Sequence, residues 1–118
     1  PEHVYTDVTQ LKQAMVSALE ADPSQPIVLD FYADWCVSCK EMAAYTLNQP
    51  EVQAEVNMQR FFKADVTTNT PEHQALLKEY GLFGPPGIFV IHADGRRSAA
   101  LLGFVKPDAF IRWYQDNR

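Results

Sequence analysis

Cys36 and Cys39 are the only cysteines in this 118-residue chain, and they stand two residues apart in the stretch Asp30 to Glu41, DFYADWCVSCKE. A C-x-x-C pair at the start of a helix that follows a buried strand is a redox arrangement with a mechanism. The free backbone N–H groups and the positive end of the helix stabilise a thiolate at the first cysteine. The second, almost one turn on, lies within bonding reach. Cys36 is therefore expected in the first turn, exposed, as the nucleophile that attacks a partner's disulfide. Cys39 is expected deeper, as the resolving thiol that attacks the mixed disulfide. The other readings of the pair are weaker. A tetrahedral zinc site needs two further Cys or His ligands, and His3, His73 and His92 lie on unrelated elements. A purely structural disulfide closing so short a loop removes little entropy from the unfolded chain.

Other residues around the pair bear on the same chemistry. Asp30 sits inside an otherwise apolar run, where an isolated carboxylate is costly without partners. It is either satisfied structurally, by a buried water or a lysine, or it tunes the thiols and relays their protons. Glu41 is a second acid, two residues past Cys39; a glutamate on a helix surface is ordinarily just solvated. Lys40 is expected to point to solvent. With Asp30 and Glu41 opposing the helix end, the Cys36 thiol is expected at or above the free-thiol value of about 8.5. The Pro85-Pro86 pair is either a plain loop or carries a cis bond at Pro86 that shapes the wall beside the cysteines, since cis peptides are essentially an X-Pro property.

These residues need a scaffold, and the pattern of the chain supplies one. Val4 to Thr6 suits a short strand, and a helix from about Thr9 to Glu20 places Leu11, Met15, Ala18 and Leu19 on one face. The run Ile27 to Tyr32 suits a strand buried on both faces of a parallel sheet. From Cys36 to about Leu47 the residues favour one helix, which Asn48-Gln49-Pro50 interrupts before a short helix resumes through Val56. Phe61 to Val66 reads as a strand. Thr70-Pro71-Glu72 gives an N-cap, a proline at the first helical position and an acidic first turn for a helix ending near Gly81. Ile88 to Ile91 is a strand, and Ala93-Asp94-Gly95 turns the chain into a final strand near Ala99 to Leu102, forming a hairpin. A helix over Pro107 to Gln115 closes the chain, burying Phe110, Ile111 and Tyr114. This order implies an α/β fold: a central mixed sheet with parallel crossovers, an antiparallel edge hairpin and helices on both faces.

Bulk properties agree with one such domain over residues 1–118. Hydrophobic residues make up 47% and charged residues 21%, with no repeat or low-complexity run. A net charge of −5 with scattered Lys and Arg argues against nucleic acid as a partner. No apolar run approaches the roughly 18 residues needed to cross a bilayer, so no direct membrane insertion is expected. The chain starts at Pro1 with neither a methionine nor a signal-like segment, which suggests a processed product or a domain cut from something longer. No cofactor or metal is expected.

The strand bearing Asp30, the W-C-x-x-C-K of Trp35 to Lys40, the proline before the fourth strand and the element order together resemble thioredoxin-like proteins over nearly the whole chain. More narrowly, YADWCVSCKEM, FGPPGIFVI and Leu102-Gly103-Phe104 resemble the C-terminal periplasmic domain of the DsbD family, thiol:disulfide interchange proteins of Gram-negative bacteria. Ordinary thioredoxins carry Gly-Pro between the cysteines, where this chain has Val37-Ser38. The resemblance implies a monomeric, soluble periplasmic domain of an inner-membrane protein. Such a domain takes electrons from a transmembrane domain and passes them to an N-terminal periplasmic domain of the same polypeptide, which in turn reduces disulfide isomerase and cytochrome c maturation proteins. Cys36 and Cys39 would be the shuttling pair, Asp30 and Glu41 the nearby acids, Pro86 the cis-proline, and Trp35, Pro85 and Pro86 the substrate-binding wall. Two departures stand out. Ala43 replaces a second glutamate common in the family, and Gly87 replaces a threonine that commonly follows the proline. The alternatives are a free-standing thioredoxin and, from another class, a peptide-binding module in which the disulfide is only scaffolding.

Overall fold

The computed structural model describes residues 3–118; Pro1 and Glu2 lie outside the described residues. The chain runs β1 (His3–Tyr5), α1 (Val8–Ala21), β2 (Ile27–Tyr32), α2 (Val37–Met42), a π-helical turn (Ala43–Leu47), α3 (Pro50–Glu55), a 3-10 turn (Met58–Arg60), β3 (Phe61–Asp65), α4 (Pro71–Glu79), β4 (Gly87–Ile91) and α5 (Pro107–Asn117). The sheet order is β1-β3-β2-β4. β3 runs parallel to both β1 and β2, while β4 pairs antiparallel with β2.

Strand alternation sorts the core into two layers. Ile27, Leu29 and Phe31 of β2 join Phe62, Ala64, Phe89 and Ile91 against Leu11 and Met15 of α1 and Leu76 and Leu77 of α4. Val28 joins Phe61, Ile88 and Val90 against Met42, Val52, Phe110 and Tyr114 of the helices on the other face. Phe31, Phe61 and Phe110 have no exposed surface; burial of such a ring is worth about 1.5–3 kcal/mol. Helix ends follow local chemistry. Asp7 caps α1 by accepting the Gln10 N–H, and Thr70 caps α4 in a reciprocal box with His73, with Pro71 opening the helix.

Three expectations need correction. The helix expected over 36–47 is continuous from Val37 to Leu47 but is not α throughout, since it widens into the π turn after Met42. Contacts from far along the chain meet it there: the fully buried Thr46 hydroxyl donates to Val105 O at 2.6 Å, and the Val105 N–H donates to Met42 Sδ at 3.2 Å. The expected final strand is reduced to two isolated bridges, Ile91 with Arg97 and Ile88 with Leu101. The register slips by one residue between them, and the Ser98 hydroxyl accepts the Val90 N–H in place of a backbone carbonyl, which breaks the ladder. Ile111 is only partly buried, unlike Phe110 and Tyr114. Among the described residues no helix is long and apolar enough to cross a membrane.

Candidate active site

Cys36 and Cys39 form a disulfide with a Cα–Cα distance of 5.3 Å at the mouth of α2, immediately beyond the C-terminal end of the central strand β2. Cys36 is the N-cap rather than a first-turn residue, with extended backbone angles. Its Sγ accepts the Cys39 N–H at 3.3 Å and lies 3.8 Å from Ser38 Oγ. Its backbone N–H is held by Ala33 O at 3.0 Å, and its carbonyl accepts the Lys40 N–H at 3.2 Å. Cys39 Sγ instead faces inward, 3.7 Å from Phe31 O. The expected contrast in exposure is absent. Cys36 is 7% exposed and Cys39 5%, because both sulfurs pack into the layer that holds Phe31 and Ala33. The asymmetry of the pair lies in their hydrogen bonding. Cys36 Sγ is an acceptor at a helix start, which favours negative charge on it, whereas Cys39 Sγ faces a carbonyl oxygen, which disfavours it.

The acids sit in different surroundings. Asp30 is 6% exposed in β2, one residue before the carbonyl that meets Cys39. The parallel register sets it opposite Lys63, itself buried on β3, and the antiparallel register opposite Ile88. Lys63 Nζ lies 4.6 Å from the centre of the Tyr32 ring. Burial, the hydrogen bond that the Tyr32 hydroxyl donates to Asp34 at 3.0 Å, and the charges of Asp34, Asp65 and Asp30 all raise the Tyr32 pKa above its ordinary value. Glu41 is exposed on α2, and Lys40 points to solvent as expected.

The wall beside the pair is built by two loops. The Pro85-Pro86 peptide is cis and leads directly into Gly87 of β4, which pairs with Phe31. A Cβ at Gly87 would stand 2.6 Å from Leu82 Cδ1, so Leu82 fills the space that a side chain after the proline would take. Its neighbour Phe83 is left fully exposed. Trp35 is 56% exposed and Val37 73%, with Leu102 and Phe104 also at the surface; the Phe104 ring meets Tyr45 edge-on, with centroids 6.4 Å apart. Sequence reasoning missed what holds Trp35: its indole N–H donates to Thr67 O at 2.9 Å. The signal was present in Asp65-Val66-Thr67, an Asp two residues before a hydroxyl at a strand end. No group of His, Cys, Asp and Glu suited to a metal occurs among the described residues.

The disulfide is buried at a helix start, with Trp35 and Val37 exposed on either side of Cys36. Residues 11–118 match the family described as a thioredoxin-like domain. The thiol:disulfide interchange protein DsbD of Neisseria meningitidis serogroup A is 69% identical over 115 residues, covering 98% of this chain; the chain spans 19% of that protein's length. The crystal structure of the oxidised C-terminal domain of Neisseria meningitidis DsbD superposes with a TM-score of 0.96 at 69% identity, covering 98% of this chain and 99% of that one. The reduced form gives a TM-score of 0.93 at the same identity, covering 96% and 98%. With both the sequence match and the fold in agreement, the chain belongs to the thioredoxin-like family, among the homologues of the DsbD C-terminal domain.

Proposed function

We propose that this chain is a thiol–disulfide relay domain, and the observation that carries the reading is the Cys36–Cys39 disulfide at the start of α2 with unlike surroundings for its two sulfurs. In the reduced chain the Cys36 thiolate attacks a disulfide of the partner. A Cys36–partner disulfide forms, the partner's S–S bond breaks, and the released sulfur takes up a proton. Cys39, losing its own proton, then attacks Cys36 Sγ and expels the partner's other sulfur as a thiol. The partner gains two electrons and two protons, and the Cys36–Cys39 disulfide is restored. The same steps in reverse, with a dithiol donor, reload the pair.

The donor in this reading is a transmembrane domain and the acceptor an N-terminal periplasmic domain of the same polypeptide, with this domain a periplasmic monomer between them. Asp30 and Glu41 tune the pair, Asp30 from a buried position beside the Cys39 contact and Glu41 from the helix surface. Trp35, Pro85 and Pro86 receive the partner's extended chain. The test compares acceptors. Reduced chain should reduce the oxidised N-terminal domain faster than it reduces insulin, and thioredoxin reductase should turn it over poorly. Rapid turnover by thioredoxin reductase, with no reaction at the N-terminal domain, would overturn the relay in favour of a free-standing thioredoxin.

A further inference from the structure

Because β3 runs parallel to β2, the two strands end side by side with Tyr32 opposite Asp65, and the chain leaving β3 travels next to the chain that becomes Asp34-Trp35-Cys36. The Val66 N–H extends the ladder to Tyr32 O at 2.8 Å. Beyond it, one residue makes a set of ties for which the exchange reaction has no direct use. Thr67 donates its N–H to Asp65 Oδ1 at 3.0 Å and its hydroxyl proton to the same oxygen at 2.5 Å. A threonine hydroxyl has one proton, and the carboxylate takes it. The remaining lone pairs can then only accept, and they accept the Asp34 N–H at 2.9 Å. The Thr67 carbonyl accepts the Trp35 indole N–H at 2.9 Å. The Tyr32 hydroxyl completes the arrangement by donating to Asp34 Oδ1. Donor and acceptor directions therefore run one way, from Asp34 through Thr67 to Asp65.

The side chain held by this set is a large ring with 56% of its surface in solvent, adjacent to Cys36. Packing alone does not fix a ring so exposed, so its orientation depends on the indole bond and on the loop that supplies the acceptor. Tryptophan is also the residue type that contributes most often to binding between proteins. A ring ordered in advance spares the docking step the loss of rotamer freedom.

We infer that Thr67, oriented by Asp65, is a positioning residue that presents Trp35 to an incoming protein, so that it governs exchange with protein disulfides and leaves exchange with small disulfides unchanged. This rests on the exchange activity proposed above and adds a determinant of partner engagement to it. The hydrogen bonds concerned lie near the surface, where water replaces them when they are lost, so a Thr67→Val chain keeps its fold.

The experiment compares wild type, Thr67→Val and Thr67→Ser, each pre-reduced, on three acceptors: the oxidised N-terminal domain, insulin and oxidised glutathione. Solvent exchange of the Trp35 indole proton is followed by NMR, and folding is checked by the urea midpoint. Thr67→Val should lose roughly two- to tenfold in the second-order rate constant of the single turnover toward the protein acceptors, the range expected from one side chain that must now be ordered on docking. It should react with oxidised glutathione at the wild-type rate and show faster indole exchange. Thr67→Ser should restore both. Equal losses on glutathione and protein would place the effect at the cysteines and overturn the inference, as would an unchanged protein rate with a loosened indole. If wild type reduces insulin but not the N-terminal domain, the relay reading falls while the Thr67 comparison is still read on insulin. If it reduces neither protein, both fall.

Discussion

Replacing Gly87 by alanine sets two effects of known sign against each other. The added Cβ would stand 2.6 Å from Leu82 Cδ1 and 3.2 Å from Cδ2, against an optimum near 3.5–4.0 Å for carbon pairs. The Leu82 methyl must therefore retreat by about 1 Å. Overpacking of this kind costs about 1–3 kcal/mol, and Leu82 is only partly buried and has room to shift, which favours the lower part of that range. On the other side, Gly87 has no left-handed backbone angle, and alanine in a tolerant position restricts the unfolded chain for a gain of about 0.4–1 kcal/mol. The net expectation is a loss of roughly 0.5–2 kcal/mol. In a Leu82→Ala background the clash disappears and only the gain remains, so the sign of the substitution should reverse there, to a stabilisation of about 0.4–1 kcal/mol. Urea unfolding of the four oxidised chains measures this as a double-mutant cycle, with midpoint shifts of roughly 0.3–1 M for each kcal/mol. If Gly87→Ala costs the same in both backgrounds, Leu82 is not what occupies the space, and the account of this wall is wrong.

The unlike sulfur environments predict that Cys39→Ser accumulates mixed disulfides with partner proteins on a non-reducing gel while Cys36→Ser does not; equal trapping would refute the assigned roles. Removing charge beside the pair should make reduced Cys36 easier to ionise. Alkylation rates measured against pH should therefore shift to lower pH in Asp30→Asn and by less in Glu41→Gln, since Asp30 is buried and Glu41 is in solvent. A wild-type midpoint below about 7 would contradict this picture of a restrained thiol. Burial raises Tyr32, Tyr80 and Tyr114 above 10.0, so their neutral phenols are favoured by the folded state. Their contribution to stability is complete below about 10 and is lost as pH rises through the folded-state values. The urea midpoint should fall over that interval together with the rise in tyrosinate absorbance, whereas a flat midpoint would deny the coupling.

Much of the site could be read from residue types because its determinants are local. The cysteine spacing, the apolar run around Asp30, the capped start of α4 at Thr70 and the Pro85-Pro86 pair all act within a few residues of themselves. What escaped reading depends on partners far along the chain. The expected long helix changes from α to π geometry after Met42, where Met42 and Thr46 bind the backbone of Val105. Cys36 is covered although its position at a helix start suggested exposure, because the layer around Phe31 and Ala33 closes over it. The last strand dissolves into two bridges because Ser98 offers a hydroxyl where a carbonyl was needed. Gly87 shows only that no side chain follows the proline, and it takes the folded chain to bring Leu82 into that space. Lys63 gives nothing away in sequence, and only the pairing of β2 with β3 sets it opposite Asp30.

Val105 has both backbone polar groups bound to side chains of the segment that continues the Cys39 helix, its N–H to Met42 Sδ and its carbonyl to the Thr46 hydroxyl. The loop bearing Leu102, Gly103 and Phe104 is thus bolted to α2 and its π turn, with Tyr45 against Phe104 as a further brace. For anyone grafting recognition loops between members of this fold, the two stretches form one cassette. Transplanting residues 102–105 without Met42, Tyr45 and Thr46 would carry the shape of the loop but leave behind its fastenings, whereas moving 36–47 and 102–105 together transfers the Cys36–Cys39 disulfide and the exposed Leu102 and Phe104 side chains with the bonds that tie the two stretches.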